Sequence, residues 1–222
     1  MKYIPRRQLL IFGFYLLMAI VITFPAITTL STRLIGSETS DAYEMTRHIW
    51  WFRYALLNGE DLFWQSHFGY PDGISGAPFR ALPLQYAPNS LLSLILPIPA
   101  AYNIYVLLTL ALNGWAMAWL AQSLLKTDSR IPALIAGLVY MAFPVFQAHT
   151  AEGHAGLIAM WGICLYLYSL FKLIDSNQLS WRYFILSVIF FLLSVGGHTL
   201  QSIYVLIPVS GLFLLAQLYQ RK

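Results

Sequence analysis

Charge is what this chain has least of. Of its 222 residues only 10% are Asp, Glu, Lys or Arg, while 59% are hydrophobic; an ordinary soluble domain is roughly a quarter charged. A soluble protein so poor in charge could not cover its surface with polar groups, so lipid is expected to do part of the covering. Cysteine is nearly missing as well. The single one, Cys164, lies inside an apolar run and excludes a disulfide framework within one copy. The net charge of +4 does not point to nucleic acid, because the basic residues stand singly at the ends of apolar runs. Internal repeats and low-complexity tracts are absent too.

What the sequence has is long apolar runs. The first is Leu9 to Leu30, which as a helix at about 1.5 Å per residue would exceed the roughly 30 Å of a bilayer core. Lys2, Arg6 and Arg7 precede it, as in a signal peptide. The run is longer than the usual 7–15 residue signal core, roughly, and Phe24, Pro25 and Ile27 do not form a small-residue cleavage site. An uncleaved first span is expected. Further spans are read at about 100–125, 131–148, 155–171, 183–195 and 202–219, with a break or tilt near Pro144. Gly196-Gly197-His198 reads as a tight turn between the last two. The fold class predicted is all-α: one polytopic transmembrane bundle over residues 1–222, of about six spans.

The basic residues orient it. Lys2, Arg6, Arg7, Lys126, Arg130, Lys172, Arg182, Arg221 and Lys222 fall on one side, whereas Arg33, Arg47, Arg53 and Arg80 share one long loop on the other. Seven of the nine acids lie on that second side. Both termini are therefore expected to be cytoplasmic, in the plasma (inner) membrane, with the long loop 31–88 outside.

That loop is rich in Trp, Tyr and Phe and is too apolar to be disordered. Asp41 with Glu44 resembles a capping box. Met45, Ile49, Phe52 and Leu56 recur at helical spacing, with Glu44, Arg47 and His48 mostly off that stripe. Asn58-Gly59 is the expected stop, and Trp50, Trp51 and Tyr54 are expected to form an interfacial aromatic belt. Tyr70-Pro71-Asp72-Gly73 reads as a turn, and Pro88 to Leu96 as a second surface helix. The next outer loop, His149-Thr150-Ala151-Glu152-Gly153-His154, places three titratable side chains between apolar runs, a pattern that marks functional sites near a bilayer. The five-residue histidine spacing is not the i, i+4 spacing of a helical metal pair, but with Glu152 these groups could meet on a metal from a loop.

Taken together, Asp41-Ala42-Tyr43, Ile49-Trp50-Trp51-Phe52, Asn58-Gly59, Tyr70-Pro71-Asp72-Gly73, Ala148-His149 and Gly153-His154 resemble the N-terminal half of a GT-C-type integral membrane glycosyltransferase, in a bacterial and archaeal branch of that superfamily. The resemblance covers nearly the whole chain. It implies transfer of a sugar from a polyprenyl-phosphate or pyrophosphate carrier to an acceptor on the extracytoplasmic face. Asp41 matches the essential acid of the first outer loop, as base or metal ligand. His149, Glu152 and His154 would support a divalent metal ion, Mg2+ or Mn2+, or the acceptor. Arg80 and Arg47, with His154, would bind substrate, since arginine suits phosphate through paired hydrogen bonds. Family members commonly carry more spans and a soluble C-terminal domain, so the chain is expected to be part of such a module.

Each residue has a plainer reading. Asp41 could be only a helix cap, His149 and His154 hydrogen-bonded interfacial side chains, His198 a polar turn residue, and Arg80 a partner of a loop acid or of lipid phosphate. Two other functions compete: a non-catalytic membrane subunit or scaffold, and a transporter of lipid-linked sugars. The near absence of charge within the spans and of internal repeats counts against the transporter.

Overall fold

The computed structural model describes residues 6–76, 82–125, 129–175 and 180–220. It is all-helical apart from one short hairpin. In chain order the elements are α1 (Arg6–Ile22), α2 (Ala42–Asn58), β1 (Trp64–Gln65), β2 (Ile74–Ser75), α3 (Pro83–Leu92), α4 (Ile98–Leu125), α5 (Ile131–Met141), α6 (Pro144–Ala151), α7 (Trp161–Asp175), α8 (Trp181–Gly197) and α9 (Thr199–Gln220). Two stretches, Ile98–Leu125 and Ile131–Ala151, are long and apolar enough to cross a membrane.

The centre is α4. It is apolar all round, so no face is reserved for water, and α1, α2, α3, α5 and α7 all pack on it. Its sequence is rich in Ala and Leu, strong helix formers, and Pro99 falls in the first turn, where its missing N–H costs no helical bond. Tyr15 of α1 is fully buried in this core, and its hydroxyl donates to the Leu134 carbonyl of α5 at 3.0 Å.

Two asparagines of α4 hold irregular backbone. Asn103 Nδ2 donates to the carbonyls of Leu30 (2.8 Å) and Arg33 (2.7 Å), and its Oδ1 accepts from Ile35 N–H (2.8 Å). Asn113 Nδ2 donates to Ile158 O at 2.6 Å and its Oδ1 accepts from Met160 N–H at 3.1 Å. Both are buried, where an unpaired polar group would be costly.

Several boundaries differ from those read in the sequence. The first helix ends at Ile22, not near Leu30, because Pro25 cannot supply the N–H that would continue it; a 3₁₀ turn, Ala26–Thr29, follows. The break at Pro144 is real. Phe143 is extended (φ −56°, ψ 132°), as the residue before a proline prefers. Residues 155–160 are buried but irregular, so the next helix starts at Trp161 rather than Ala155. The second surface helix runs Pro83–Leu92 with Pro88 inside it, not Pro88–Leu96. His198 alone separates α8 from α9, in extended conformation (φ −154°).

Within the long loop, α2 stops at Asn58 with Gly59 left-handed (φ 71°), as expected. The turn at Tyr70–Gly73 also forms: Asp72 and Gly73 both donate to Gly69 O. It closes an antiparallel pairing of Trp64 with Ser75 and Gln65 with Ile74 that the sequence did not reveal. Trp51 is not an interfacial anchor. It is buried, and its indole N–H donates to Asp61 O at 3.2 Å. Leu56, at the far end of the expected stripe, is exposed.

The exterior is unusually apolar. Leu10 and Val21 on α1, Ile131 and Val139 on α5, Leu192 on α8, and Leu212 and Leu215 on α9 are all exposed.

Replacing Asn103 by Leu strands three backbone groups, the buried Ile35 N–H and the part-buried carbonyls of Leu30 and Arg33. At about 1–3 kcal/mol for each unsatisfied group, the loss should reach roughly 3 kcal/mol or more, read by denaturant unfolding in detergent. Asn58→Ala, on the exposed end of α2, should stay within about 0.5 kcal/mol. Equal effects at the two positions would refute the anchoring role of Asn103.

Candidate functional site

The two polar loops are joined first by main chain. Ser37 N–H donates to Ala151 O at 2.6 Å, and Asp41 N–H to Glu152 O at 3.0 Å. Gly153 lies flat against the start of α2 with φ +73°; a Cβ there would collide with the Ala42 backbone. Tyr102 of α4 closes the contact from below, its hydroxyl donating to Gly153 O at 3.4 Å.

This stitching sets Asp41 beside the histidines. Asp41 Oδ2 is 2.9 Å from His154 Nε2. The Asp41 backbone is helical (φ −67°, ψ −1°) and its side chain makes no capping bond. A capping side chain needs an extended backbone to reach back to the helix amides, so the expected capping box does not form. Glu44 turns instead to Arg47 (3.4 Å) and His48 (3.6 Å).

A third group extends the chain. His154 Nδ1 is 3.1 Å from His149 Nδ1, and His154 N–H donates to His149 O at 2.9 Å. Two imidazole lone pairs cannot face each other at this distance, so one hydrogen lies between the rings. With Asp41 ionised, the neutral arrangement is fixed: His154 donates from Nε2 to Asp41 and accepts at Nδ1 from His149. Glu152 joins through its main-chain carbonyl, and the residue itself is exposed.

Asp41 and His154 open onto a cavity of about 190 Å³, whose walls also include Glu44, Gln85, Tyr86 and His198. His198 comes from the α8–α9 turn. The sequence offered it only as a turn residue; the structure puts it in the wall of the site. Burial, with a smaller contribution from His149, holds its pKa below the ordinary imidazole value. Among the described residues no three His, Cys, Asp or Glu side chains are arranged to hold a metal ion. His154 has both nitrogens engaged, one by Asp41 and one by His149.

On the other side of α2 lies a larger open cleft of about 970 Å³. Arg33, Arg47, Glu38, Tyr43 and Trp50 are among its walls. Arg47 donates to Gln65 Oε1 and lies over the Phe68 ring at 5.1 Å. Arg33, not singled out as a site residue from the sequence, lines this cleft with Arg47; Arg80, expected to hold phosphate, lies outside the described residues.

His48, expected off the apolar stripe, is buried. Its position three after Met45 puts it on the same face, a signal the spacing carried. Gln65 Nε2 sits 2.8 Å from its Nδ1. Burial first, then the Arg47 charge, lower its pKa to about 4 against the opposing pull of Glu44.

Comparison with known protein families, curated proteins and solved structures gives no match for this chain.

His48 makes stability depend on pH. In the unfolded chain it titrates near 6.5, and in the fold near 4. Between these values the unfolded state binds more protons, so stability is full above the upper value and falls as pH drops toward the lower. Unfolding measured from pH 7 to 4 should show a flatter decline in His48→Gln. An unchanged slope would refute the assignment.

Proposed function

We propose that this chain is a multi-pass membrane glycosyltransferase of the GT-C type, which moves a sugar from a polyprenyl-phosphate carrier to an acceptor hydroxyl on the extracytoplasmic face. The observation that carries the reading is the 2.9 Å contact between Asp41 and His154. It joins two polar loops, 113 positions apart, at the mouth of a cavity.

Lipid contact is supported by the exposed apolar faces of α1, α5, α8 and α9, which water would not tolerate at this extent. Six spans are then α1, α4, α5 with α6, α7, α8 and α9. Some are shorter than the roughly 20 residues of an average span, which local thinning of the bilayer accommodates. The basic residues place both termini in the cytoplasm and the site on the opposite face, where the carrier's tail stays in lipid while its head reaches the loops.

The chemistry needs a base and an anion site. Asp41 Oδ2 is taken by His154, leaving Oδ1 for substrate. The acceptor O–H gives its proton to Oδ1, and the acceptor oxygen bonds to the anomeric carbon. The bond from that carbon to the phosphate oxygen breaks, its electron pair leaving on the phosphate. His154 holds the carboxylate in place, and His149 fixes the tautomer of His154. Arg33 and Arg47 supply positive charge in the larger cleft, where the phosphate would sit. Glu44 and Arg47, 3.4 Å apart on α2, link the walls of the two cavities. The glycosyltransferase resemblance rests on the sequence motifs alone. A non-catalytic subunit is the competing reading.

A general base contributes about 10²–10⁴-fold to rate. Sugar transfer from a polyprenyl-phosphate-linked donor in reconstituted membranes should fall by about that factor in Asp41→Asn. A short polyprenyl phosphate should still raise the melting temperature of that variant, with or without Mg2+ or Mn2+, because binding to the folded state stabilises it. Arg47→Gln should lose the shift. A wild-type chain showing neither shift nor transfer would favour the non-catalytic subunit.

A further inference from the structure

We propose that the cavity of about 190 Å³ beside Asp41 binds an uncharged, hydroxyl-bearing ring, and that Gln85 and His198 are the side chains that read it. That the ring belongs to the acceptor rests on the glycosyltransferase reading; that the cavity is a site for such a ring does not.

The first observation is Gln85 on α3. Its carbonyl Oε1 is buried and has no hydrogen-bond partner among the described residues. Its amide nitrogen reaches a thioether, Met45 Sδ, at 3.6 Å, a weak acceptor. Buried polar atoms are nearly always paired, and an exception calls for a reason. Here the carboxamide forms part of the cavity wall with Asp41, Glu44, His154 and His198. Oε1 itself is sealed against Gly156, so a ligand that draws the carboxamide into the cavity would supply the missing partners. The space is specifically kept: a Cβ at residue 156 would strike the Gln85 amide, and Gly156 has none.

The second observation is the charge of the wall. Asp41 and Glu44 line the cavity, while among the described residues no Lys or Arg does. A phosphate or carboxylate would meet two acids and no fixed cation. An anion is better placed across α2, in the cleft with Arg33 and Arg47. What remains is a neutral group able both to give and to accept hydrogen bonds. A hydroxyl does both, and it matches a carboxamide, an imidazole and a carboxylate together. Met45 and Leu157 supply apolar wall for the carbon face of a ring. The volume suits one ring, equal to about six waters at about 30 Å³ each.

The third observation is the origin of His198. It enters from the α8–α9 turn, far in sequence from Asp41 and His154, and still lines the same cavity. Ser202 N–H donates to its carbonyl at 3.0 Å, and its own N–H donates to Ser194 O at 3.2 Å. The main chain is therefore held on both sides of the imidazole. A pocket built to pair a hydroxyl rejects analogues that lack it, because its own polar groups are then left unpaired.

The test is saturation-transfer NMR on the full chain in lipid nanodiscs. The probes are methyl glucoside, methyl mannoside and methyl galactoside, with glucose 1-phosphate as the anionic control. At least one glycoside should give a saturable signal, and glucose 1-phosphate should not compete for it. Gln85→Met keeps the volume and removes the hydrogen bonds; it and His198→Phe should each weaken the signal at least tenfold. Gly156→Ala, which displaces the amide without deleting it, should act in the same direction. Asn58→Ala, at the far end of α2 and outside the cavity wall, should leave the signal intact. Signals that persist in Gln85→Met and His198→Phe, or displacement of the glycoside by glucose 1-phosphate, would overturn the proposal. So would silence from all three glycosides in a chain that polyprenyl phosphate still stabilises, and that result would leave the transferase reading standing. Glycoside binding without stabilisation by polyprenyl phosphate would keep the ring site and remove the transferase.

Discussion

Two asparagines on the central helix hold the parts of the chain that are not helical. Asn103 ties down the strap between α1 and α2, and Asn113 ties down the irregular stretch before α7. In an apolar setting, irregular backbone persists only where something satisfies its N–H and C=O groups. These side chains do so from ten residues apart on one helix, and nearly every feature of the site follows. The strap leads directly into Asp41, and the stretch held by Asn113 follows directly on His154 and Gly156. Moving either would separate the carboxylate from the imidazole.

The site itself is a division of charge across α2. One side carries Asp41, Glu44 and two histidines around a small cavity; the other carries Arg33 and Arg47, with one acid, Glu38, around a larger one. The helix keeps them apart through its own side chains. Glu44 pairs with Arg47, and Arg47 is further held by Gln65 and the Phe68 ring. The buried His48 lies beneath this cluster, neutral, with Gln65 fixing one nitrogen. Arginine that is already positioned can receive an anion with little reorganisation, and a carboxylate with one oxygen engaged presents the other in a set direction.

Much of this was legible in the sequence, for identifiable reasons. The long apolar runs, the stop at Asn58-Gly59 and the break at Pro144 are local signals, and the structure has each of them; the break expected at Gly196-Gly197-His198 falls on His198 alone, with both glycines still helical. Asp41, His149 and His154 stood out because polar groups between apolar runs are conspicuous. What local signals could not carry was distance. The 3.1 Å contact of the two histidine rings and the places of His198 and Gln85 in the cavity wall depend on how α3 and α8 pack. The capping pair at Asp41 and Glu44 was plausible as sequence and wrong as structure, because the main chain at Asp41 is bound to Glu152 and turns helical. Trp51 was misjudged because α2 is covered on more than one side, by α3 and α4 as well as by the loop that returns to it, and His48 because its spacing from Met45 already put it on the apolar face.

The stitching of the two loops has a consequence for how such a site could diversify. The bonds from Ser37 to Ala151 and from Asp41 to Glu152 are made by main chain, which every amino acid except proline supplies in full. The frame therefore does not depend on which side chains occupy positions 41, 85, 154 and 198. Those positions are free to drift toward other ring substituents or other acceptors while the architecture is inherited unchanged. Gly153 and Gly156 are not free in this way, since each occupies space that any larger residue would need. In a lineage built on this scaffold, the glycines should outlast the chemistry they frame.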